Sequence, residues 1–528
     1  MSYGIAEITS YACACRCYVY AIRAERVDSR VITRCLNPVS EALEESVVNA
    51  LQQFARLLVL FRLRPFDTTT EGGRSKERYR RILLTTSSNL AVRALSSLVG
   101  LITVPLALSY LGKEKYGLWA VVTSLVAWTS LCDFGIINSL VNALSEANGK
   151  ENREDAKSYV STAFFVLVGI SMTLGLAVAL CAAWIPWSWI LAVRIPIAQR
   201  TVMWTVLAAL FCVLANLPLS ITRQIYAGYQ KSYMVNLFSA LGALTTLAAL
   251  YLVIWTKGGL PSLVFAFSGP GVVIGIINLL YLMRREMPWL TPQLSYVSRR
   301  ALRRLFRTST PLFLFQIGAL LVNETQMITL AHVTSLKLVS EYSIIWRLGV
   351  TLSSFVGLGT AGFVPAFREA HERGDSGWMK AAFRRMLIVR MSIATAVAFT
   401  LIFGGNFILR VWLHRVDFNF PTSLWIAQGM VLASAIWVTS FTDLLTIMDR
   451  IWIQVAFVAF NGVTTVALTI ILAPRFGLLG ALISIGFVTV CFWTWLVPLL
   501  ARWLLAPNPQ KLGQMRQLDG SAGEDVVI

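Results

Sequence analysis

Hydrophobic and polar positions alternate in long blocks from Arg81 to about residue 505. Twelve apolar runs recur, near 82–110, 117–144, 160–184, 201–222, 233–255, 262–283, 310–334, 342–365, 386–406, 424–447, 452–473 and 477–505. Each is about 17–25 residues or somewhat longer, the length with which an α-helix crosses a ~30 Å hydrocarbon layer. Lipid offers no partner to backbone N–H and C=O groups, so such runs predict helices, which satisfy those groups internally. The expected fold class is therefore an all-α polytopic membrane protein.

Several runs carry a polar stripe. In the first, Asn89, Arg93, Ser96, Gly100 and Thr103 recur at helical spacing on one face. Arg93 falls about 16 Å into the layer at ~1.5 Å per residue. A charge there costs ~2.5–3.5 kcal/mol on insertion scales, so it must face a watery cavity or a partner. Arg93 is the first candidate for binding an anionic group; the alternative is an arginine held by a carboxylate or by helix carbonyls for structure alone. The eighth run repeats the pattern with Ser343, Arg347, Thr351 and Ser354. Arg347 either lines the same cavity or snorkels to the nearby outer surface. Arg390, a turn inside the ninth run, has the same two readings towards the inner surface.

The seventh run offers Gln316, Asn323, Glu324 and Gln326. Glu324 is the one carboxylate near the middle of a run. It is either a group whose protonation couples the protein's work to an ion gradient or a counter-charge to one of the arginines. Asn89 and Asn323 complete the candidate cavity lining. Asp133 reads as a helix-end tether. Pro105, Pro218, Gly269-Pro270 and Pro365 are placed to bend helices and open backbone groups to a cavity.

Composition agrees with lipid as the main solvent: 56% hydrophobic residues, 14% charged and a mean hydropathy of +0.65. A soluble surface needs far more charge. The net charge of +19 would suggest nucleic acid in a soluble chain. Here it reads instead as Lys and Arg in short loops orienting helices and meeting anionic headgroups, and no nucleic-acid partner is expected. Alternate connections carry 18 and 9 Lys/Arg, which predicts that both termini are cytoplasmic. Tyr116, Trp119, Trp184, Trp187 and Trp189 are expected at the outer headgroups.

The largest basic group, from Arg284 to Arg307, divides the chain into halves of six runs: 80–285, a linker 286–307, and 308–505, with a polar cytoplasmic tail at 506–528. Tyr116-Gly117 corresponds to Tyr342-Ser343 and Ser145-Glu146-Ala147 to Arg368-Glu369-Ala370. Thr222, Gly242 and Thr245 correspond to Thr442, Gly462 and Thr465. An even number of spans per half makes this a parallel repeat of two pseudo-symmetric lobes around a central cavity. Residues 1–75 lie outside the pattern. They hold either an interfacial amphipathic helix at 40–61 or no genuine protein, if translation starts nearer Lys76.

Cys132, Cys181, Cys212 and Cys491 stand singly in apolar runs, as small hydrophobes do. Cys13, Cys15 and Cys17 lack the usual spacing of a zinc site. No P-loop, H-E-x-x-H, Gly-x-Ser-x-Gly or dinucleotide loop occurs in context, so no cofactor or catalytic residue is assigned.

One stretch carries a family signature: Leu111-Gly112…Tyr116-Gly117-Leu118-Trp119, Asp133-Phe134-Gly135, then Ser145-Glu146-Ala147 before a charged loop. With Glu341-Tyr342-Ser343, Pro365–Asp375 and Gly477-Leu478-Leu479-Gly480-Ala481, it resembles the Wzx-type flippases, the polysaccharide branch of the multidrug/oligosaccharidyl-lipid/polysaccharide exporter superfamily. The resemblance covers about residues 80–505. It implies translocation of a polyprenyl-pyrophosphate-linked oligosaccharide across the bacterial inner membrane for O-antigen, capsule or exopolysaccharide synthesis. Polymerases and glycosyltransferases of the pathway are the implied partners besides membrane lipids. A cation or drug antiporter of the same fold is the alternative, and a membrane-embedded glycosyltransferase or polymerase a further one.

Overall fold

The computed structural model describes residues 71–193, 197–358, 367, 370, 376–414, 419–448 and 451–504. The sequence expectations for Cys13, Cys15, Cys17, the 40–61 helix, Pro365 and the 506–528 tail lie outside them. The chain divides into two compact units, Met1–Ser87 and Ser88–Ile528. All that follows concerns the second.

Its first half comprises α1 (Glu71–Ala127, of which the part from Ser88 on belongs to this unit), α2 (Ile136–Gly149), α3 (Arg153–Cys181), α4 (Gln199–Leu219), α5 (Ile221–Gly228), α6 (Ser232–Trp255) and α7 (Leu260–Tyr281). Its second half comprises α8 (Arg299–Asn323), α9 (Thr325–Val333), α10 (Leu336–Leu358), α11 (Ser376–Leu413), α12 (Thr422–Ile447), α13 (Ile451–Val488) and α14 (Thr494–Leu504). The protein is an all-α polytopic membrane protein with no strand among the described residues. Nine segments there are long and apolar enough to cross a membrane.

Two of the nine are 50-residue segments, Leu84–Asp133 and Ile451–Leu500. The second takes in two runs read from sequence. The first takes in one and only 117–133 of the next, which breaks at Phe134-Gly135 before α2. Each segment is broken at one glycine: Gly112 has φ 75°, ψ 169° and Gly477 has φ 58°, ψ −131°. A side chain with a Cβ resists both conformations, so glycine at these positions lets two spans reverse with almost no loop. Helix α10 matches most of the run expected at 342–365.

Packing differs sharply between the two ends of the helices. At the end holding Tyr116, Trp187, Leu260, Leu336 and Leu413, both halves share one core: Val104, Leu108 and Trp119 lie in the same cluster as Leu330, Ile345 and Trp425. At the other end the cores are separate. Leu140, Val160, Ile225, Leu282 and Leu305 form one, and Phe383, Phe441, Leu445 and Trp493 form another. The joined end has the lysine- and arginine-poor connections, and the parted end has the rich ones.

Tyr116 and Trp119 are thus not headgroup aromatics. Each is 2% exposed, and their rings meet edge-to-face at 5.3 Å. An added Cβ on Gly117 would fall onto the Leu336 backbone. This Tyr-Gly step is where the halves touch, and only glycine admits so close an approach. Trp184 and Trp189 remain exposed, as interfacial tryptophans should, whereas Trp187 is buried.

Candidate functional site

Between Ser88 and Ala127, helix α1 packs mainly from Val99 onward. From Val99 through Leu108 it enters the shared core, with Val99, Thr103, Val104 and Ala107 buried. Before that it is open on most sides: Asn89, Arg93 and Ser96 are exposed, as are Leu90 and Leu98. Arg93 has no carboxylate partner among the described residues. The structural alternative for this arginine therefore finds no counter-charge in the described fold. Nearby, Asn236 donates to the Ser88 hydroxyl at 2.8 Å, anchoring the open stretch to α6.

Arg347 is half-buried on α10, at the joined end rather than beside Arg93's open turn. It lies within electrostatic reach of Tyr116, whose hydroxyl is hydrogen-bonded to Ser343. The two tyrosine steps paired in the internal repeat therefore meet across the seam. Further contacts close the same end. Trp412 Nε1 donates to the Leu101 carbonyl at 2.6 Å, and His332 Nε2 lies 3.2 Å from the Trp189 carbonyl.

The helix pair α8–α9 breaks at Glu324, and its polar residues serve both halves. Gln316 donates to the Ser130 carbonyl at 3.1 Å. Gln326, 1% exposed, donates to the Ala481 carbonyl and accepts from Thr469, both at 3.0 Å. Glu324 turns towards the first half. The Ser124 hydroxyl has two acceptors in reach, Met327 Sδ at 3.2 Å and the Glu324 carboxylate; the charged oxygen is the stronger acceptor. The buried Tyr342 hydroxyl, which has no hydrogen-bond partner, is within electrostatic reach of the same carboxylate. Glu324 makes no ion pair with an arginine among the described residues. Asn323 is exposed and donates to the Ala319 carbonyl of its own helix at 2.8 Å.

Arg390 stands apart from this group. It is 7% exposed, with Nη1 2.8 Å from Asp443 Oδ2 and 3.1 Å from Ser440 Oγ. It links α11 to α12. Sequence reading missed Asp443, although its place near the end of a run opposite Arg390 was a usable signal. Replacing Asp443 with Asn is expected to lower stability by about 1–2 kcal/mol. That is below the ~3–5 kcal/mol of a fully enclosed pair, because the Asp443 side chain is 39% exposed. Chemical denaturation of the purified protein reads it, and an Arg390→Met/Asp443→Leu pair should recover most of the loss.

Asp133 accepts the Gly135 amide at 2.9 Å just before α2, the helix-end tether its position suggested. Phe134 packs against Phe306 and Phe313 of α8. Further along α2, Glu146 binds Lys150 and Arg304, and Arg304 Nη1 donates to the Tyr159 hydroxyl at 2.7 Å. The start of α8 is thereby fastened to the first half. This pairing was not legible from sequence, since the partners are 158 residues apart. The hydrogen bond from Lys150, with the Arg304 and Lys150 charges, holds the Glu146 carboxyl below its ordinary range. The tie is accordingly present above that range and is lost only as pH falls through the depressed value. Hydrogen exchange at the start of α8 is expected to stay protected from about pH 7 to about pH 5, after correction for intrinsic rate. Glu146→Gln should raise exchange there throughout.

A cavity of 1560 Å³ opens in the first half, between α3, α4, α6 and α7, lined by Met172, Leu176, Trp204, Phe211 and Phe265. It is apolar; Pro218, Gly269 and Pro270 line it, but none of Asn89, Arg93, Asn323, Glu324, Arg347 and Arg390 does. Those candidates lie instead on α1, α8, α10 and α11 and at the α8–α9 break. The arrangement presents an exposed guanidinium on a partly unpacked helix and a protonatable carboxylate at the seam between halves. Such a pair suits anion binding coupled to movement of one half against the other.

Comparison with known proteins agrees with this architecture. A putative O-antigen export protein of Yersinia pseudotuberculosis is 22% identical over 78% of this chain and 94% of its own. A putative O-antigen transporter of Salmonella typhi is 20% identical over the same shares. Among solved structures, an inward-facing multidrug MATE transporter superposes with a TM-score of 0.65 at 14% identity, over 80% of this chain and 98% of its own. The lipid II flippase MurJ does so with a TM-score of 0.65 at 12% identity, over 84% and 94%. Residues 82–371, more than half of the 528, match the model of the polysaccharide biosynthesis protein family, and this chain belongs to that family.

Proposed function

We propose that this polysaccharide-export transporter is a flippase for polyprenyl-pyrophosphate-linked oligosaccharide repeat units at the bacterial inner membrane. One observation carries the reading: the halves share a core at one end and part into two cores at the other. Arg93 is exposed on a stretch of α1 that lies outside the shared core. We assign the lobes to 80–285 and 308–505, joined by the basic linker 286–307. With both termini cytoplasmic, the parted end opens to the cytoplasm. Rocking about the shared core would then expose the gap alternately to each side.

Arg93, with Asn89 a turn away on α1, would receive the diphosphate through its planar fork while the gap is open. Arg347, at the joined end, would meet it only once the halves have rocked, with Asn323 as a further hydrogen-bonding group. The polyprenyl tail would stay in lipid. Arg390, its charge answered by Asp443, acts in packing and not on substrate. Glu324, joined to Ser124 and near Tyr342, is the coupling candidate. The test is reconstitution into vesicles with a fluorescent polyprenyl-pyrophosphate oligosaccharide, reading glycan exposure to an added glycosidase. No transfer above protein-free vesicles would end the reading.

The absence of an arginine partner for Glu324 among the described residues favours one second reading, an antiporter of organic cations. Uptake of a fluorescent cation driven by a pH gradient, with no movement of lipid-linked glycan, would establish it instead.

A further inference from the structure

We propose a second anion site, for a phosphate-bearing lipid headgroup, on about the first two and a half turns of α8. Arg299, Arg300, Arg303, Arg304 and Arg307 line a cavity of 620 Å³ at the basic end of the protein. At about 100° per residue the five fall within a sector of about 140° on one helix face. The opposite face is the buried one: Ala301, Leu305 and Ser309 are 4%, 0% and 1% exposed. The guanidinium groups therefore cannot spread around the helix to relieve their repulsion.

For Arg299 and Arg300, position makes the repulsion worse. The first turn of a helix already carries positive partial charge from its unpaired N–H groups, and cations are disfavoured there. Ordinary orientation of loops by positive charge needs only lysines and arginines scattered along a connection; it does not need five converging on one hollow. Among the described residues only Arg304 of the five meets a carboxylate, Glu146, and it is held further by the Tyr159 hydroxyl and ring. Glu146 also serves Lys150. One shared carboxylate leaves a large excess of positive charge in the hollow, and a multiply charged anion is what it lacks. Guanidinium forks match phosphate oxygens two at a time. The site sits where α8 is fastened to the first half, so an occupant would bear on that fastening.

The site does not rest on which molecule the protein translocates. Its headgroup has two sources of the same chemistry, the pyrophosphate of a polyprenyl carrier or an anionic phospholipid of the adjoining leaflet. The test uses the full chain in phosphatidylcholine nanodiscs, titrated calorimetrically with inorganic pyrophosphate. Arg300→Gln/Arg303→Gln/Arg307→Gln, which spares Arg304 and its tie to Glu146, is expected to bind roughly tenfold or more weakly. The corresponding triple Lys variant should retain part of the affinity, and since it keeps every charge it also controls for misfolding. Nanodiscs doped with polyprenyl pyrophosphate or with phosphatidylglycerol then serve as competitors. Competition by the first alone assigns the carrier headgroup, and by the second the leaflet lipid. Wild-type affinity in the triple Gln variant, or no competition from either lipid, overturns the site.

Discussion

Arg93→Ala is expected to cut translocation of lipid-linked oligosaccharide by about 30-fold while leaving the protein folded. Removing one member of a desolvated charged hydrogen-bond pair costs ~2–5 kcal/mol, of which the lower end corresponds to about 30-fold. The lower end applies because the Arg93 turn is open and water can partly replace the lost contact. Stability should change by no more than about 0.5 kcal/mol, since the side chain is exposed and answers no buried carboxylate. Arg93→Lys should fall between, keeping the charge and losing the fork. The measurements are glycan exposure in reconstituted vesicles and surface polysaccharide in cells lacking the native transporter, each normalised to protein level. Near-normal transfer in the Ala variant would remove Arg93 from the substrate site.

Gly117→Val is expected to damage both stability and transport, for the opposite reason: it adds matter where none fits. The Cβ would collide with the Leu336 carbonyl and the backbone behind it, and a backbone cannot rotate aside as a side-chain tip can. Overpacking typically costs about 1–3 kcal/mol, and the rigid neighbour puts this case near the upper limit. The strain exists only while the halves touch at this end. A ~3 kcal/mol penalty on that state shifts the balance between touching and parted arrangements by about 150-fold. Transport should fall by more than tenfold, and a cysteine introduced at Val339, buried in the shared core, should become reactive to a water-soluble maleimide. A variant with normal transport and an unreactive Val339→Cys would show that the Tyr-Gly step is not where the halves close.

Much of this protein was legible in one dimension. Helix length and apolarity follow from lipid thickness, a constraint that acts on each span separately, so the spans and the fold class could be read without knowing any neighbour. The Gly112 and Gly477 reversals lie within the Leu-Gly and Gly-Leu-Leu-Gly pieces that carried the family resemblance, because a turn of positive φ demands its residue locally. Arg93 was also accessible from sequence, since a guanidinium inside a long apolar run is costly in any arrangement.

What the chain alone left open concerns partners. Tyr116 and Trp119 carry the same amphipathic signature whether they meet headgroups or a facing helix, and only packing put them in the shared core. Arg390 and Arg93 read alike, yet one found Asp443 and the other found no carboxylate among the described residues. The Glu146–Arg304 tie and the arginine hollow on α8 depend on how distant segments fold back, which no local pattern encodes. Sequence determined which groups the bilayer would penalise; the tertiary structure decided which of those penalties were met by neighbours, because a counter-charge or a hydrogen-bond partner is a matter of distance in space and not of order along the chain.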